Sequence, residues 1–545
     1  MSKVIMFTVA LSSALFSVAQ DRYMVFFGNR SGMNYPYSID APENFLTDRA
    51  LQRRSSQTIS IDSADMPVNP AYVDSLRIMG IEVYFTTKWL NGALIQTDAS
   101  NIQSIQSLAF VDSITLVANN AKLSTDKITF ETPTTFKKPS SVSATTELQN
   151  SMLQINLMHQ EGIRGEGMLI AVLDNGFTGV DEFEPFEHLW TGNKIIAQRD
   201  FVENSGNVFR VGDHGTSVFS TIAGKYQEDF KGVAYGADFI LCITEEVGSE
   251  DRVEEYNWLL GAEFADSLGA DVINASLGYN TFDIKEHDYQ YEDLDGETTI
   301  VSIAAKIASE KGMIVVVSAG NDGDNPPSAW RYITPPADAK EILTVGSVNP
   351  DFSWTPFSSL GPSSDGRIKP DVSALGFGTT IIRGTGSITM GNGTSFASPQ
   401  IAGLVAGIWQ ANPGWTNQEV MNAIRSGSHN AHSPDTLVGH GVPFYTFAVD
   451  GKVLSTADIL SEKITVYPNP FQGEKLFLKI DAEMNGPLTI EIIDSEGKTI
   501  LRDSISVSEP STIVEFTLQD IQEGLYFLSL QYANEKKVVK LINFK

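Results

Sequence analysis

The sequence has little cysteine and little positive charge. Its 545 residues include a single cysteine, Cys242, so no disulfide can form within the chain, and stability must come from core packing or from bound ions. The 38 Lys and Arg residues face 67 Asp and Glu residues, which gives a formal net charge of -29. This balance argues against nucleic acid as a partner and against attachment to an anionic membrane surface, because both require clustered positive charge.

Long apolar runs are also scarce. The run from Val4 to Val18 follows Lys3, and the small residues Ser17 and Ala19 stand where a signal peptidase cuts. Residues 1–19 are therefore predicted to be a cleaved signal peptide; the alternative is a buried helix or membrane anchor, for which the run is short. No later stretch is long and apolar enough to span a bilayer, so we expect a secreted protein without a membrane span.

The rest of the chain is too long for one hydrophobic core and divides by composition. Residues 20–117 are predicted to form a small α+β unit. Its expected order is strand, helix, strand, strand, helix, strand, with strands at Tyr23–Phe27, Ile81–Thr86, Gly92–Gln96 and Val111–Val117 and the first helix near Phe45–Arg53. Residues 118–148 are rich in Thr, Ser, Lys and Pro, cannot build a core, and are predicted to be an exposed linker open to proteolysis.

Residues 149–450 alternate strand and helix patterns. The segments MLIAVLD, DFILCIT, ADVINASLG and MIVVVSAGN are nearly continuous apolar runs that end in polar residues or glycine. Such runs are typical of a parallel sheet with helices on both faces, an α/β fold. Because sites in such sheets form at the carboxyl ends of the strands, the polar residues that end these runs are the candidate functional residues.

Three of these segments carry reactive side chains. Asp174 ends a buried strand, His214 precedes a small-residue helix, and Ser395 stands where a glycine-rich turn meets a second such helix. Each has an ordinary structural interpretation when taken alone: a strand-end carboxylate, a hydrogen-bonded histidine and a helix N-cap. Their order along the chain, Asp then His then Ser, is one of the orders in which a catalytic triad occurs.

Four sequence blocks in this region resemble those of the subtilisin-like serine peptidases, the subtilases. They are AVLDNGF, DHGTSV, VVVSAGNDG and NGTSFASPQIAG. The resemblance implies that Asn321 lies in the oxyanion hole, although Ala-Gly-Asn-Asp-Gly is also turn chemistry. It also implies that Ser276, Leu277 and Gly278 hold the substrate backbone and that Gly320 lies in the pocket for the substrate side chain. Neither departure from the common pattern, Asn175 after the Asp or Phe396 after the Ser, supplies a reacting group.

The resemblance implies a secreted serine endopeptidase that acts on protein or peptide substrates. Ser395 would be the nucleophile, His214 the general base and acid, and Asp174 the group that orients His214. The alternative from a different class is an inactive adhesion or binding protein on a peptidase scaffold. No metal or cofactor is expected to be required. The acidic stretch at residues 280–299 lacks regular metal-loop spacing, so it is either a solvated loop, a calcium site or a surface for basic substrates.

The flanking segments also resemble known domains. Residues 20–117 resemble the inhibitory propeptides of subtilases, which implies activation by cleavage within residues 118–148; an accessory binding domain is the alternative. Residues 462–545 have the alternating pattern of an antiparallel β-sandwich. With Tyr467-Pro468-Asn469-Pro470 and the later Gly524-Leu525-Tyr526, they resemble the sorting domains of the type IX secretion system of Bacteroidetes. This implies export through the periplasm to the outer surface; a carbohydrate-binding or adhesion sandwich is the alternative.

Overall fold

The computed structural model describes residues 20–30, 35–121, 132–451, 464–469, 471, 474–480, 487–495, 497–506, 512–518, 521–532 and 535–543. The predicted signal peptide and residues 122–131 of the predicted linker lie outside these ranges. The chain forms two compact units: one contains Met1–Ala41, Asp62–Lys127 and Asp251–Val253, and the other contains Pro42–Ile61, Ile128–Glu250 and Glu254–Lys545. Within the described ranges, no helix has the length and apolar character needed to cross a membrane.

The N-terminal segment has the predicted α+β character. Its elements are β1 (Gln20–Phe27), α1 (Asp48–Ser56), α2 (Pro70–Ile78), β2 (Glu82–Thr87), β3 (Gly92–Thr97), α3 (Ile102–Gln106) and β4 (Val111–Ala121). The strands form an antiparallel sheet in the order β2-β3-β1-β4. Buried Val25, Leu76 and Ile95 are part of its core. The structure adds one helix, α2, to the predicted elements, because Asn69 caps it and Pro70 favours its first turn.

The central segment contains the predicted parallel sheet. Its strands are β5 (Ser141–Val142), β6 (Leu169–Asp174), β7 (Ile195–Asp200), β8 (Lys225–Tyr226), β9 (Phe230–Lys231), β10 (Asp238–Ile243), β11 (Val272–Ala275), β12 (Ile314–Ser318), β13 (Leu343–Val348), β14 (Val372–Leu375), β15 (Thr379–Ile382) and β16 (Ser387–Gly391). Seven of them form one sheet in the order β14-β13-β12-β11-β6-β10-β7, and every pairing within it is parallel. The lone cysteine, Cys242, is buried in β10, where burial raises the pKa of its thiol.

Helices cover this sheet and complete the predicted α/β architecture. They are α4 (Glu147–Met152), α5 (Ile155–Gln160), α6 (Glu187–Thr191), α7 (His214–Ala223), α8 (Val253–Leu268), α9 (Ile300–Glu310), α10 (Thr394–Ala411), α11 (Asn417–Ser426) and α12 (Tyr445–Ala448). The two helices that begin at candidate residues, α7 and α10, pack against each other and against the sheet. Both are buried along nearly their whole length, which their small side chains permit.

Helix α1 is attached to the central segment by buried charge. Arg53 and Arg54 both donate to Asp266 Oδ1 on α8, at 2.5 Å and 2.6 Å. All three side chains are almost fully buried. One carboxylate therefore carries two guanidinium groups in a site that water does not reach, so the loss of Asp266 would leave two buried cations without their anion.

The C-terminal segment is the predicted antiparallel sandwich. Its strands are β17 (Ile464–Tyr467), β18 (Lys475–Ile480), β19 (Pro487–Asp494), β20 (Thr499–Ser506), β21 (Thr512–Thr517), β22 (Gly524–Tyr532) and β23 (Glu535–Asn543). They form two sheets, β17-β18-β21 and β20-β19-β22-β23. Alternate residues of both sheets, such as Leu476, Leu478, Ile490 and Leu528, meet in one core, as the alternating sequence pattern requires.

Candidate active site

Asp174 and His214 are in contact at the carboxyl end of β6, an interior strand of the seven-stranded sheet. Asp174 is fully buried, and its Oδ1 lies 2.8 Å from His214 Nδ1 and accepts the Asn175 N–H at 2.8 Å. Because a carboxylate can only accept, the proton of the imidazole is on Nδ1. Nε2 is then left as a basic nitrogen on a ring whose side chain is 32% exposed.

Two glycines permit this approach of helix to strand. A Cβ on Gly215 would lie 2.4 Å from the Gly176 carbonyl oxygen and 2.9 Å from the Asp174 Cβ. A Cβ on Gly176, whose φ is +144°, would lie 1.7 Å from the Val211 carbonyl oxygen. Any side chain at either position would push the start of α7 away from β6. The glycines in the DNGF and DHGT blocks therefore set the distance between His214 and Asp174.

Opposing effects act on the pKa of His214. Burial lowers it, but the Asp174 carboxylate raises it through Coulomb attraction and its hydrogen bond, and Glu245 and Asp213 raise it further. The net pKa lies above the ordinary value for histidine. The charged imidazolium is thus stabilised at this position, which is the form that a general base takes after it accepts a proton.

Ser395 lies in the first turn of α10 and is 7% exposed. Gly393, with a φ of +147°, forms the cap of this helix. The Ser395 hydroxyl donates to the Ser276 carbonyl oxygen at a long 3.5 Å, and the Phe396 ring lies beside the His214 ring with centroids 6.0 Å apart. A weakly held hydroxyl is free to turn toward a base, as catalytic hydrogen bonds are often long before substrate binds.

A proline inside α10 accounts for a contact between this helix and Ser276, which follows β11. Pro399 lacks the N–H that would bond the Ser395 carbonyl oxygen four residues earlier. That carbonyl oxygen instead accepts the Ser276 hydroxyl at 2.9 Å. The Ser276 side chain therefore completes the first turn of α10 and ties it to the segment that follows β11, a role that the sequence did not reveal.

Asn321 is held beside the start of α10. Its Oδ1 accepts the Thr394 N–H at 2.9 Å and lies 3.0 Å from the Thr394 hydroxyl. These contacts occupy the amide oxygen and leave Nδ2 as the outward end of an exposed side chain. Asn321 thus binds a residue 73 positions away and is more than a local turn residue.

The remaining candidate residues border an open edge. Ser276 is buried, Leu277 is half-buried and Gly278 is exposed. A Cβ on Gly278 would lie 2.1 Å from Thr334 Oγ1, and one on Gly320, whose φ is +107°, would lie 3.0 Å from the same atom. Thr334 therefore stands between the two glycines, and sequence analysis had not singled it out.

Asp322, Asp338 and carboxylates of the acidic stretch at residues 280–299 have hydrogen-bond partners within the fold. Asp322 accepts from the Asn325 amide at 3.2 Å. Within residues 280–299, Asp288, Asp293 and Asp295 accept backbone N–H groups at 2.7–2.8 Å. These carboxylates stabilise the turns of the loop itself. Fully buried Asp338 accepts from Ser302 and Gly296.

Three family models match successive parts of the chain. Residues 165–441 match the subtilase family. Residues 22–132 match the peptidase S8 propeptide domain of Bacteroidota, and residues 465–543 match a secretion system C-terminal sorting domain. The sorting domain indicates secretion to the cell surface or beyond it.

Individual relatives agree with the central match. Subtilisin NAT from Bacillus subtilis subsp. natto is 30% identical over 280 residues, which are 51% of this chain and 64% of that protein. The subtilisin of Bacillus pumilus is 30% identical over 280 residues, which are 51% of this chain and 89% of that protein. The chain thus matches less than two thirds of the length of the first of these.

A solved structure is also similar. The crystal structure of MycP1 from Mycobacterium smegmatis is 23% identical, covers 59% of this chain and 95% of that chain, and superposes with a TM-score of 0.44. The assignment of family rests on the sequence models. Because the subtilase model spans half of its residues, the chain belongs to the subtilase family of serine peptidases.

Proposed function

We propose that the chain is a secreted serine endopeptidase that hydrolyses peptide bonds through an acyl-enzyme on Ser395. The observation that carries this proposal is the 2.8 Å contact between buried Asp174 and His214 Nδ1. It fixes the tautomer in which Nε2 can act as a base. A histidine with a purely structural role would need neither a buried carboxylate partner nor an exposed basic nitrogen at the carboxyl ends of the parallel strands.

The reaction needs only groups of the chain. The Ser395 hydroxyl attacks the scissile carbonyl carbon while His214 Nε2 takes its proton, and the same proton passes to the leaving amine as the C–N bond breaks. Water then attacks the carbonyl carbon of the acyl-enzyme while His214 Nε2 takes its proton. The ester bond to Ser395 breaks, the proton returns to the Ser395 oxygen, and the carboxylic acid product leaves. The Asp174 carboxylate stabilises the imidazolium and holds its orientation. No cofactor is required for these steps.

The developing oxyanion would be held by two donors. The Ser395 N–H lies in the first turn of α10, where N–H groups lack intrahelical partners. The second donor is Asn321 Nδ2, since its amide oxygen is held by Thr394. Loss of one such donor typically lowers turnover by about 100- to 1,000-fold.

The substrate would lie along the edge after β11. Ser276, Leu277 and Gly278 would hold its backbone, because this segment directly follows β11 and reaches the surface at Gly278. The substrate side chain would enter a pocket beside Gly320, and Thr334 would form one side of this pocket. The small residues around this pocket favour apolar or aromatic substrate side chains. The proposed partners are protein substrates, the chain's own propeptide and the type IX secretion machinery. Nucleic acid is not among them.

Labelling with a fluorophosphonate probe tests this function, because the probe reacts with activated serine nucleophiles. Wild-type chain should be labelled on the peptide that contains Ser395, and Ser395→Ala should not be labelled. Ser398→Ala is the matched control, since Ser398 lies in the same helix and bonds to Asn274. Absence of labelling in the folded wild type, or labelling that persists in Ser395→Ala, would contradict the peptidase proposal. Either result would favour the alternative, an inactive binding protein on a peptidase scaffold.

A further inference from the structure

A group of three carboxylates lies at the same edge of the sheet as Asp174. β10 ends at Ile243, which pairs with Asp174 in β6, and the loop after β10 and the start of α8 carry Glu245, Glu250 and Glu254. Each offers one carboxylate oxygen, and these oxygens all lie within 4.8 Å of one another. Such spacing allows one ion to contact all three side chains.

Glu254 is the member of this group that points to a ligand. It is fully buried, and its Oε1 accepts the Glu246 N–H at 3.0 Å. Its Oε2 is buried as well and has no hydrogen-bond partner within the part of the chain that the structure describes. A buried carboxylate oxygen without a partner is costly, and a cation bound beside it would offset this cost.

The mutual repulsion of the three carboxylates also favours a bound cation. Burial raises the pKa of Glu254, and the charges of Glu245 and Glu250 raise it further. Burial and Glu250 likewise raise the pKa of Glu245 above its ordinary value, against the hydrogen bond from Tyr279. Carboxylate oxygens that lie within 4.8 Å of one another repel, and a cation shared by the three side chains would relieve this repulsion.

We propose that Glu245, Glu250 and Glu254 bind one divalent cation, and that calcium is the cation that fits. Calcium prefers oxygen ligands and accepts six to eight of them in flexible geometry. The three residues come from a loop and a helix start, so loop carbonyl groups and water can supply the remaining ligands. Zinc is disfavoured because structural zinc sites use Cys and His, and neither type belongs to this group.

The proposed ligands differ from the carboxylates of the acidic stretch at residues 280–299, although the Glu250 backbone is hydrogen-bonded to Asp283 of that stretch. There, carboxylates such as Asp288 and Asp295 accept N–H groups of the loop itself. At Glu254, one buried oxygen has no such donor. The difference lies in unmet hydrogen-bonding capacity rather than in the number of acidic residues.

Thermal unfolding of the full chain tests the proposal independently of catalysis. All variants carry Ser395→Ala to prevent self-digestion, and each is measured in EDTA and in excess calcium chloride. We expect calcium to raise the Tm of the parent, and Glu254→Gln to abolish this rise and weaken calcium binding in calorimetric titration about tenfold or more. The matched control Glu228→Gln, which alters an exposed residue paired with Lys231, should keep the full rise.

The behaviour in EDTA separates loss of the site from loss of the fold. Glu254→Gln removes a buried acid with one unpartnered oxygen and keeps an oxygen that can accept the Glu246 N–H, so its Tm in EDTA should equal or exceed that of the parent. Should this variant unfold, Glu250→Gln removes a half-buried ligand and must lose the calcium effect instead. An equal rise of Tm in the parent and in a folded Glu254→Gln or Glu250→Gln variant, or no rise in the parent, would overturn the assignment.

Discussion

The effect of Asp174→Asn can be worked out from the contacts of both carboxylate oxygens. Asp174 Oδ1 accepts both the Asn175 N–H and the His214 Nδ1–H, whereas Oδ2 is buried without a partner among the described residues. An amide can keep its oxygen at the first position, which buries an NH₂ group without an acceptor. Alternatively it can turn, which sets NH₂ against Nδ1 and forces the proton onto Nε2. In either orientation the negative charge is lost.

The size of the effect follows from that charge. Opposite unit charges 2.8 Å apart attract by about 6 kcal/mol at an effective dielectric constant of about 20. This energy is close to the roughly 10,000-fold loss of kcat that the same change causes in a Ser-His-Asp triad of another fold. We therefore expect kcat on a peptide substrate to fall by about four orders of magnitude, with little change in KM.

The pH dependence gives a second measure of the same contact. The pKa of His214 is raised in the wild type, largely by Asp174, and in the proposed mechanism the neutral imidazole is the active base. Activity is therefore lost as the pH falls through this raised pKa, and Asp174→Asn should move that acid limb to lower pH. The control Asp213→Asn removes an exposed charge that makes no hydrogen bond to the ring, and should move the limb slightly in the same direction with nearly full kcat.

A loss of less than tenfold in Asp174→Asn, or an acid limb that stays in place or moves to higher pH, would refute this reasoning. Either result would mean that Asp174 does not stabilise the imidazolium. The assay is kcat/KM on a fluorogenic peptide from pH 5 to pH 9, because kcat/KM reports the ionisation of the free enzyme.

Two further substitutions test contacts outside the triad. Ser276→Ala leaves the Ser395 carbonyl oxygen without a donor, so it should cost about 1–3 kcal/mol in urea unfolding of the Ser395→Ala chain; an unchanged midpoint would contradict the link. Asp266→Ala strands Arg53 and Arg54 and should destabilise the unprocessed Ser395→Ala chain by about 3–5 kcal/mol. Mature enzyme that lacks the N-terminal segment should lose much less, and equal losses in both forms would contradict the assignment.

The sequence predicted the framework of the site because its signals are local. Continuous apolar runs identified β6 and β12, and small-residue runs identified the helices that begin at His214 and Thr394. Parallel strands present their carboxyl ends at one edge, so the order of the blocks was enough to group their polar residues. The glycines at 176 and 215 belong to two of the four sequence blocks, but only the structure shows which backbone atoms lie against them.

Long-range pairs could not be predicted in this way. Pro399 signals a missing N–H, but nothing local shows that Ser276, 119 residues from Ser395, replaces it. The run TEEVGSEDRVEE reads as a solvated acidic loop, whereas the fold buries Glu254 completely. Asp338 is likewise buried, and its carboxylate accepts from Ser302 and Gly296. Burial and partner choice depend on packing between distant segments, which a single sequence does not contain.

The most direct test of the peptidase assignment is hydrolysis of casein by the purified chain beside Ser395→Ala, with mass spectrometry of both samples. The account predicts that the wild type is cut within residues 118–148 and digests casein, and that the variant stays uncut, with turnover lower by about a million-fold. Equal behaviour of the two samples would contradict the role of Ser395.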